Sequence, residues 1–404
     1  MRPRDQQQLV IAVISDQWYV ETRSGLYTTA SMPLTDTAAS AGHRPSACKW
    51  LLLGRTPREP EDLSSMYQVQ GTVELVGPRR VPRGGFGYVL GLPRYLSGLG
   101  RCFRDADIVI VKSNYVAAWL AFLLGAFRKR KGVLATLQVG DPQQALQHAR
   151  NRLYSAFSGV AAWLTRRTNA SADLSFFVSN ALATGYCPAG RAFMVVNESR
   201  IRPANIVQKP KAMPSGRPFR LLYVGRLSPE KGVGDLLRAV DYLHHEGGIT
   251  LTVVGDGVCY EELKRLDREN AVFFLGRVPW GSELFMIMQQ HDVLVLPSYT
   301  EGLGLVLIEA MSQGTPVIGS RVGGIPELIA DEETGLLVPP GDHRALAAAI
   351  RRLTSDSALY TKLSAAGLQV ASENTLDRQM GAALRECIKI LVEKRSAGST
   401  SASE

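Results

Sequence analysis

The sequence predicts an α/β protein built as two doubly wound domains. Three observations carry that expectation. Short apolar runs recur through both halves with helix-length segments between them, the pattern of a mostly parallel sheet covered on both faces. A polar, Pro-rich stretch, Lys209–Pro218, interrupts the pattern midway, where its prolines disfavour the interior of a helix or strand. The chain has 404 residues, long enough for about two or three globular cores. The expected division is 1–208, a linker at 209–218, a second domain at 219–374, a helix at 375–394 and a disordered Ser-rich tail at 395–404.

In the first half, strands are expected at 9–14, 48–53, 108–111, 133–139 and 174–178, with helices at 115–127 and 143–168. Residues 55–85 show no clear period and read as a loop or short hairpins. The second half is more regular. Strands are expected at 220–224, 250–254, 272–275, 293–296 and 316–319, alternating with helices at 233–245, 259–269, 281–290, 304–313 and 342–353. Doubly wound sheets bind ligands at the carboxyl ends of their strands, so a cleft between the two domains is the expected ligand site.

Composition removes several classes. With 45% hydrophobic and 21% charged residues the chain is neither disordered nor collagenous. A net charge of +9 favours anionic partners, but no stacking-aromatic module accompanies it, which argues against nucleic acid. Five dispersed cysteines show neither zinc spacing nor a disulfide framework, which suggests a reducing, cytoplasmic setting. The leading residues lack the pattern of a signal peptide, and the longest apolar run, Val116–Phe127, is too short to span a bilayer. No repeat of solenoid period is visible.

The chemistry concentrates after two strands of the second half. Pro297-Ser298-Tyr299-Thr300-Glu301-Gly302-Leu303-Gly304-Leu305 leads into a helix that carries Glu309. A carboxylate offers two acceptor oxygens and suits a vicinal diol, so Glu301 and Glu309 are read as acceptors for sugar and ribose hydroxyls. An ordinary loop–helix junction with Glu309 exposed is the competing reading. Glycines 302 and 304 permit close backbone approach, and the amides of Gly302, Leu303, Gly304 and Leu305 can donate to oxygens. Gly225-Arg226-Leu227-Ser228-Pro229-Glu230-Lys231-Gly232 follows another strand. Its guanidinium and ammonium are the donors a diphosphate needs, unless both are simply solvated. Arg277 and Val278, after the strand at 272–275, are candidates to line a nucleobase. Gly323-Gly324 could assist a phosphate, and Asp256 reads as a turn residue. No Walker A pattern is present.

Taken in order, GRLSPEKG (225–232), VVGDG (253–257), FLGRV (274–278), DVLVLPSYTEGLGLVLIEAMSQGTPVIGS (292–320), GGIPELI (323–329) and TGLLVPPGD (334–342) resemble the donor-binding domain of the retaining glycosyltransferases of family 4. The resemblance implies the GT-B architecture, two Rossmann-like domains facing each other across a deep cleft, with the last helix crossing back to the first domain. It assigns Glu301 to the transferred sugar, Glu309 to the nucleotide ribose, Arg226 and Lys231 to the donor diphosphate, and the amides of 302–305 to sugar or phosphate oxygens. By the same resemblance Gly25, in Thr22-Arg23-Ser24-Gly25-Leu26, is the candidate for close approach to the donor phosphates, although the family's double glycine is missing. Where the family often has a His at a central strand end, this chain has Leu137-Gln138-Val139-Gly140-Asp141-Pro142. Asp141 either contacts sugar or acceptor or caps a helix before Pro142.

The implied reaction is transfer of a sugar from a nucleoside-diphosphate sugar to a hydroxyl with retention of configuration, in the biosynthesis of a polysaccharide, glycolipid or glycosylated metabolite. A uridine donor is marginally favoured, no tightly bound cofactor is expected, and no metal requirement is predicted. Arg226 and Lys231 would stabilise the charge that grows on the leaving diphosphate. The competing functions are a nucleotide-sugar epimerase and a noncatalytic nucleotide-sugar binding protein. The acceptor is a sugar, a lipid-linked sugar or a small molecule. A lipid-linked acceptor would bring the protein to the inner face of the cell membrane, and the apolar segment 117–124 followed by Arg128-Lys129-Arg130-Lys131 reads either as such an anionic-membrane contact or as a core helix with a solvated end.

Overall fold

The computed structural model describes residues 9–22, 25–28, 48–55, 67–69, 72–76, 85–113, 116–123, 125, 130, 132–143, 156–244, 248–267 and 272–400. The chain forms two compact units, residues 1–200 with 376–404 and residues 201–375. Residues 77–84 of the expected 55–85 loop, most of the Arg/Lys run at 128–131 and residues 144–155 of the helix expected at 143–168 lie outside the described residues.

Unit 1 runs through β1 (Leu9–Thr22), β2 (Gly25–Thr28), β3 (Cys48–Arg55), β4 (Tyr67–Val69), β5 (Thr72–Leu75), α1 (Gly85–Asp105), β6 (Ile108–Lys112), α2 (Val116–Leu123), β7 (Val133–Gln138), α3 (Ser158–Ala170), β8 (Leu174–Phe177), α4 (Asn180–Tyr186) and β9 (Phe193–Val195). Strands β5-β3-β1-β6-β7-β8-β9 are parallel neighbours in that order. The strand period of two sorts their side chains onto two faces. Ile11, Val13, Ile108, Ile110, Val133 and Ala135 join one core. Their sequence neighbours Ala12, Ile14, Val109, Val111 and Leu134 join the other, under Tyr95, Leu99 and Phe103 of α1 and Ala118 and Ala121 of α2. The segment from 117 is therefore a core helix here: Ala118 and Ala121 are fully buried.

Unit 2 contains β10 (Phe219–Val224), α5 (Val233–His244), β11 (Ile249–Val254), α6 (Tyr260–Leu266), β12 (Val272–Gly276), α7 (Ser282–Gln290), β13 (Val293–Leu296), α8 (Leu305–Ser312), β14 (Val317–Ser320), α9 (Ile325–Leu328), β15 (Leu336–Val338), α10 (His343–Ser355) and α11 (Ser357–Glu373). Its six parallel strands lie in the order β12-β11-β10-β13-β14-β15. The chain winds outward from β10 to β12, then returns to β13 beside β10 and winds the other way. That reversal is a topological switch point between β10 and β13. The last helix, α12 (Leu376–Thr400), belongs to unit 1. Leu376, Met380, Ala383, Leu384, Cys387 and Leu391 enter the face opposite α1 and α2, at the three- and four-residue spacing of one helix stripe.

Three boundaries differ from expectation. Residues 201–218 are not a free linker but part of unit 2. Val207 N donates to Ser312 O (2.9 Å), and the Lys211 ammonium donates to Met288 O (2.9 Å), His291 O (2.7 Å) and Thr315 Oγ1 (2.6 Å). Those carbonyls close the carboxyl end of α7, where a cation is favoured. The expected tail is helical to Thr400, with 401–404 outside the described residues; Lys394 pairs with Asp173 (2.8 Å) and Arg395 with Asp107. Finally, β1 does not stop at Ile14. Its aromatic and β-branched continuation pairs with β2 as a hairpin, Thr22 opposite Gly25.

Candidate functional site

The loops that follow β10 and β13 meet because their strands are neighbours at the switch point of unit 2. Gly225 N donates to Val254 O (3.0 Å) as β10 ends. The chain then crosses Arg226 and the buried Leu227 and makes a 3₁₀ turn over Pro229–Lys231. Gly232 closes that turn with φ +64°, and a Cβ there would lie 2.1 Å from Pro297 O. Only glycine admits both the left-handed backbone and that approach. The turn is bound to the second loop through Tyr299 N, which donates to Glu230 O (2.9 Å).

The second loop is held from its other side. Gly324 N donates to Gly302 O (3.0 Å), and Gly323, at φ +53°, sits where a Cβ would come 1.8 Å from Glu301 O. Gly304 (φ +82°) then enters α8 as its N-cap. The glycines of Gly323-Gly324, read in the sequence as phosphate donors, here bring two backbone segments into contact under Glu301.

The outcome is a direct ion pair between Lys231 and Glu301, whose side chains are only 12% and 16% exposed. The two groups expected at the diphosphate and the sugar are thus neighbours. Arg226 shares the first loop but faces solvent, 75% exposed, with Glu230 at 3.5 Å. Burial works against the Glu230 charge, yet the Ser228 hydroxyl (2.6 Å), its own backbone amide and the cations Arg226 and Lys231 hold the carboxyl below its ordinary pKa.

Glu309 lies in the second turn of α8, where Oε1 accepts from Trp280 Nε1 at 2.9 Å. Trp280 is itself set edge-on against Phe285 (5.1 Å between ring centroids). The exposed-junction reading of Glu309 therefore fails: the carboxylate is half-buried and oriented. Leu303 is buried and Leu305 opens α8. Arg277 and Val278 follow β12, the edge strand, with Arg277 exposed and Val278 half-buried. Asp256 accepts from Gly257 N (2.7 Å) and its carbonyl accepts from Leu227 N (2.9 Å), so it builds a turn.

Two further side chains support the second loop. The Tyr299 hydroxyl donates to the buried Asp235 of α5, which also pairs with Arg238 at 3.0 Å. The hydrogen bond to Asp235, with burial, raises the Tyr299 pKa above its usual value. Trp280 and Asp235 lie 29 and 64 residues from their partners, and no local pattern marks such pairs.

In unit 1, Gly25 is the first residue of β2 in the β1–β2 hairpin, and 23–24 lie outside the described residues. Asp141 caps the turn at Pro142–Gln143, accepting from Gln143 N (2.8 Å) and from the Tyr186 hydroxyl (2.5 Å). Gln138, at the end of β7, accepts from Asn169 Nδ2 (2.9 Å) and donates to Gly140 O (3.2 Å).

Known proteins share parts of this sequence and its fold. Residues 218–356 match the family model described as glycosyl transferases group 1. Glycogen synthase of Mycobacterium tuberculosis is 33% identical over 218 residues, which covers 52% of this chain and 51% of that protein. The amylovoran biosynthesis glycosyltransferase AmsK of Erwinia amylovora is 37% identical over 153 residues, covering 35% and 37%. The chain thus spans about half the length, or less, of the curated relatives it matches. Among solved structures, sucrose-phosphate synthase from Thermosynechococcus elongatus superposes with a TM-score of 0.72 at 22% identity, covering 95% of this chain and all (100%) of that one. HepE of Anabaena in complex with UDP-glucose gives 0.64 at 18% identity, covering 95% and 100%. The fold of the two units is that of these proteins, GT-B.

Proposed function

The chain belongs to the group 1 glycosyltransferases of the GT-B fold, and from that premise we propose that it transfers a sugar from a nucleoside-diphosphate sugar to a hydroxyl acceptor with retention of configuration. The observation that carries the proposal is the Lys231–Glu301 pair, assembled by the β10 and β13 loops. Within the pair each group neutralises the other. An arriving donor separates them: the diphosphate takes the ammonium, and the freed carboxylate accepts hydroxyls of the sugar. As the glycosidic bond breaks, charge accumulates on the leaving phosphate, and Lys231 holds it more strongly than in the ground state. Arg226, solvent-facing on the same loop as Lys231, closes on the same phosphates. The Trp280-oriented Glu309 takes the ribose.

A uridine donor is the first to test, since HepE was solved with UDP-glucose and a trehalose-6-phosphate enzyme of E. coli with UDP-2-fluoro glucose. For the acceptor we favour a sugar or a lipid-linked sugar, reached from the cytoplasmic side. The deciding experiment offers radiolabelled nucleotide sugars with soluble sugars and lipid extracts, and reads nucleotide release together with labelled product. Glu301→Gln and Lys231→Met are each expected to lose about a hundredfold in turnover. Full turnover in both folded variants, or donor interconversion without any acceptor product, would overturn the proposal.

A further inference from the structure

Unit 1 displays an apolar stripe that its own fold leaves uncovered. α3 buries Ala161, Ala162, Leu164, Thr165, Thr168 and Asn169. On its other side Phe157, Val160 and Trp163 stand 59%, 51% and 48% exposed. Each is three residues from the next and so neighbours it on the helix surface, where a helix that only covers a sheet carries polar residues. The next turn adds two exposed cations. The Arg167 guanidinium lies over the Trp163 ring (5.7 Å to its centroid), and Arg166 donates from Nε to Gly185 O (2.9 Å) while remaining exposed. No Asp or Glu occurs in the sequence from Pro142 to Ala172. α2 packs against α3, and its own exposed residues, Val116 and Leu123, are seven apart and so share a face.

We propose that this stripe of α3 rests on an anionic lipid bilayer. Phe157, Val160 and Trp163 enter the boundary between headgroups and acyl chains, and Arg166 and Arg167 meet lipid phosphates. Charge selects this occupant: a helix face with an apolar row, an indole, two guanidiniums and no acid matches a negatively charged interface, and the chain as a whole carries +9. None of the helices formed by described residues is long and apolar enough to cross a membrane, so the contact is peripheral, reversible and weakened by salt.

The test is sedimentation with vesicles of phosphatidylcholine alone and of an equal mixture with phosphatidylglycerol. The wild-type protein is expected to partition about tenfold more strongly onto the mixed vesicles, an advantage that high salt removes. Phe157→Ser with Trp163→Ser should lower partition about tenfold, and Arg166→Ala with Arg167→Ala should remove the preference for the anionic vesicles. Brominated lipids should quench a part of the fluorescence that is missing in Trp163→Phe. Circular dichroism and transfer to a soluble acceptor should match the wild type in every variant, so failure of this proposal leaves the transferase reading standing, and the reverse. Absence of wild-type partition, or partition unchanged in the Phe157/Trp163 variant, overturns it. So does a concentration-dependent dimer that this variant dissociates, which would give the stripe to a second copy of the chain.

Discussion

Both units carry polar residues at or shortly after the ends of parallel strands, and they use them in opposite ways. In unit 2 the loop after β10 and the loop after β13 bring Lys231 and Glu301 together with both side chains still partly exposed, and glycines 232 and 323 hold the segments in place. In unit 1 the residue that ends β6, Lys112, pairs with Glu198 (2.9 Å), and both are buried. Gln138, at the end of β7, is bonded to Asn169. One set of charges stays within reach of a ligand; the other is consumed by the scaffold. A polar residue at a strand end therefore marks a site only when its loop keeps it near solvent.

The comparison is broken most forcefully at Lys112. Removing one member of a buried pair leaves the other unsolvated, so Lys112→Ala is expected to cost about 3–5 kcal/mol of stability in denaturant unfolding. Lys231→Met should lose less stability and act mainly on donor affinity and turnover. If the two variants were equally destabilised, the contrast between the units would disappear.

Gly323→Ala sharpens the picture next. A methyl group 1.8 Å from Glu301 O forces the backbone apart, and its positive φ adds a cost of its own. Calorimetric binding of a nucleoside diphosphate should weaken about tenfold or more, whereas Gly100→Ala, whose added Cβ meets nothing in α1, should leave it unchanged.

Acid stability supplies a third test. Burial, opposed by the hydrogen bond to Ile287 O, lowers the pKa of the His291 imidazole below its ordinary value of 6.5. Folded protein then binds fewer protons than unfolded protein at low pH, so stability falls as pH drops below about 6.5, by at most about 1.4 kcal/mol per pH unit for this group. His291→Gln should flatten the fall in melting temperature between neutral pH and pH ~5. The smallest effect is expected for Tyr299→Phe, about 1 kcal/mol from the lost bond to Asp235, read as a modest drop in melting temperature.

The sequence showed unit 2 well because its chemistry is written in local order. Each strand is a single apolar run, and each loop carries its glycines and charges within eight residues. Unit 1 is less legible for physical reasons. α1 contains Pro93 and several glycines, which look like breaks. Gly98 is instead a packing residue, since a Cβ there would lie 2.2 Å from Val76 O. Unit 2 has its own hidden parts: α11 carries no separate signal, because it starts two residues after α10 ends, with Asp356 capping it through Leu359 N (2.8 Å). Lys211 looked like linker because nothing near it in sequence reveals the distant carbonyls that bind it.

The route of the chain has a consequence for how the protein is made. The apolar side of unit 1 that carries Ile11, Val13 and Ile108 is closed by Leu376 to Leu391 of α12, while residues 201–375 form a separate body between. During synthesis the later body has all its pieces once residue 375 has left the ribosome, but the earlier one must wait for the helix that follows. The half translated first is thus completed last, and until then it offers an open greasy sheet to chaperones.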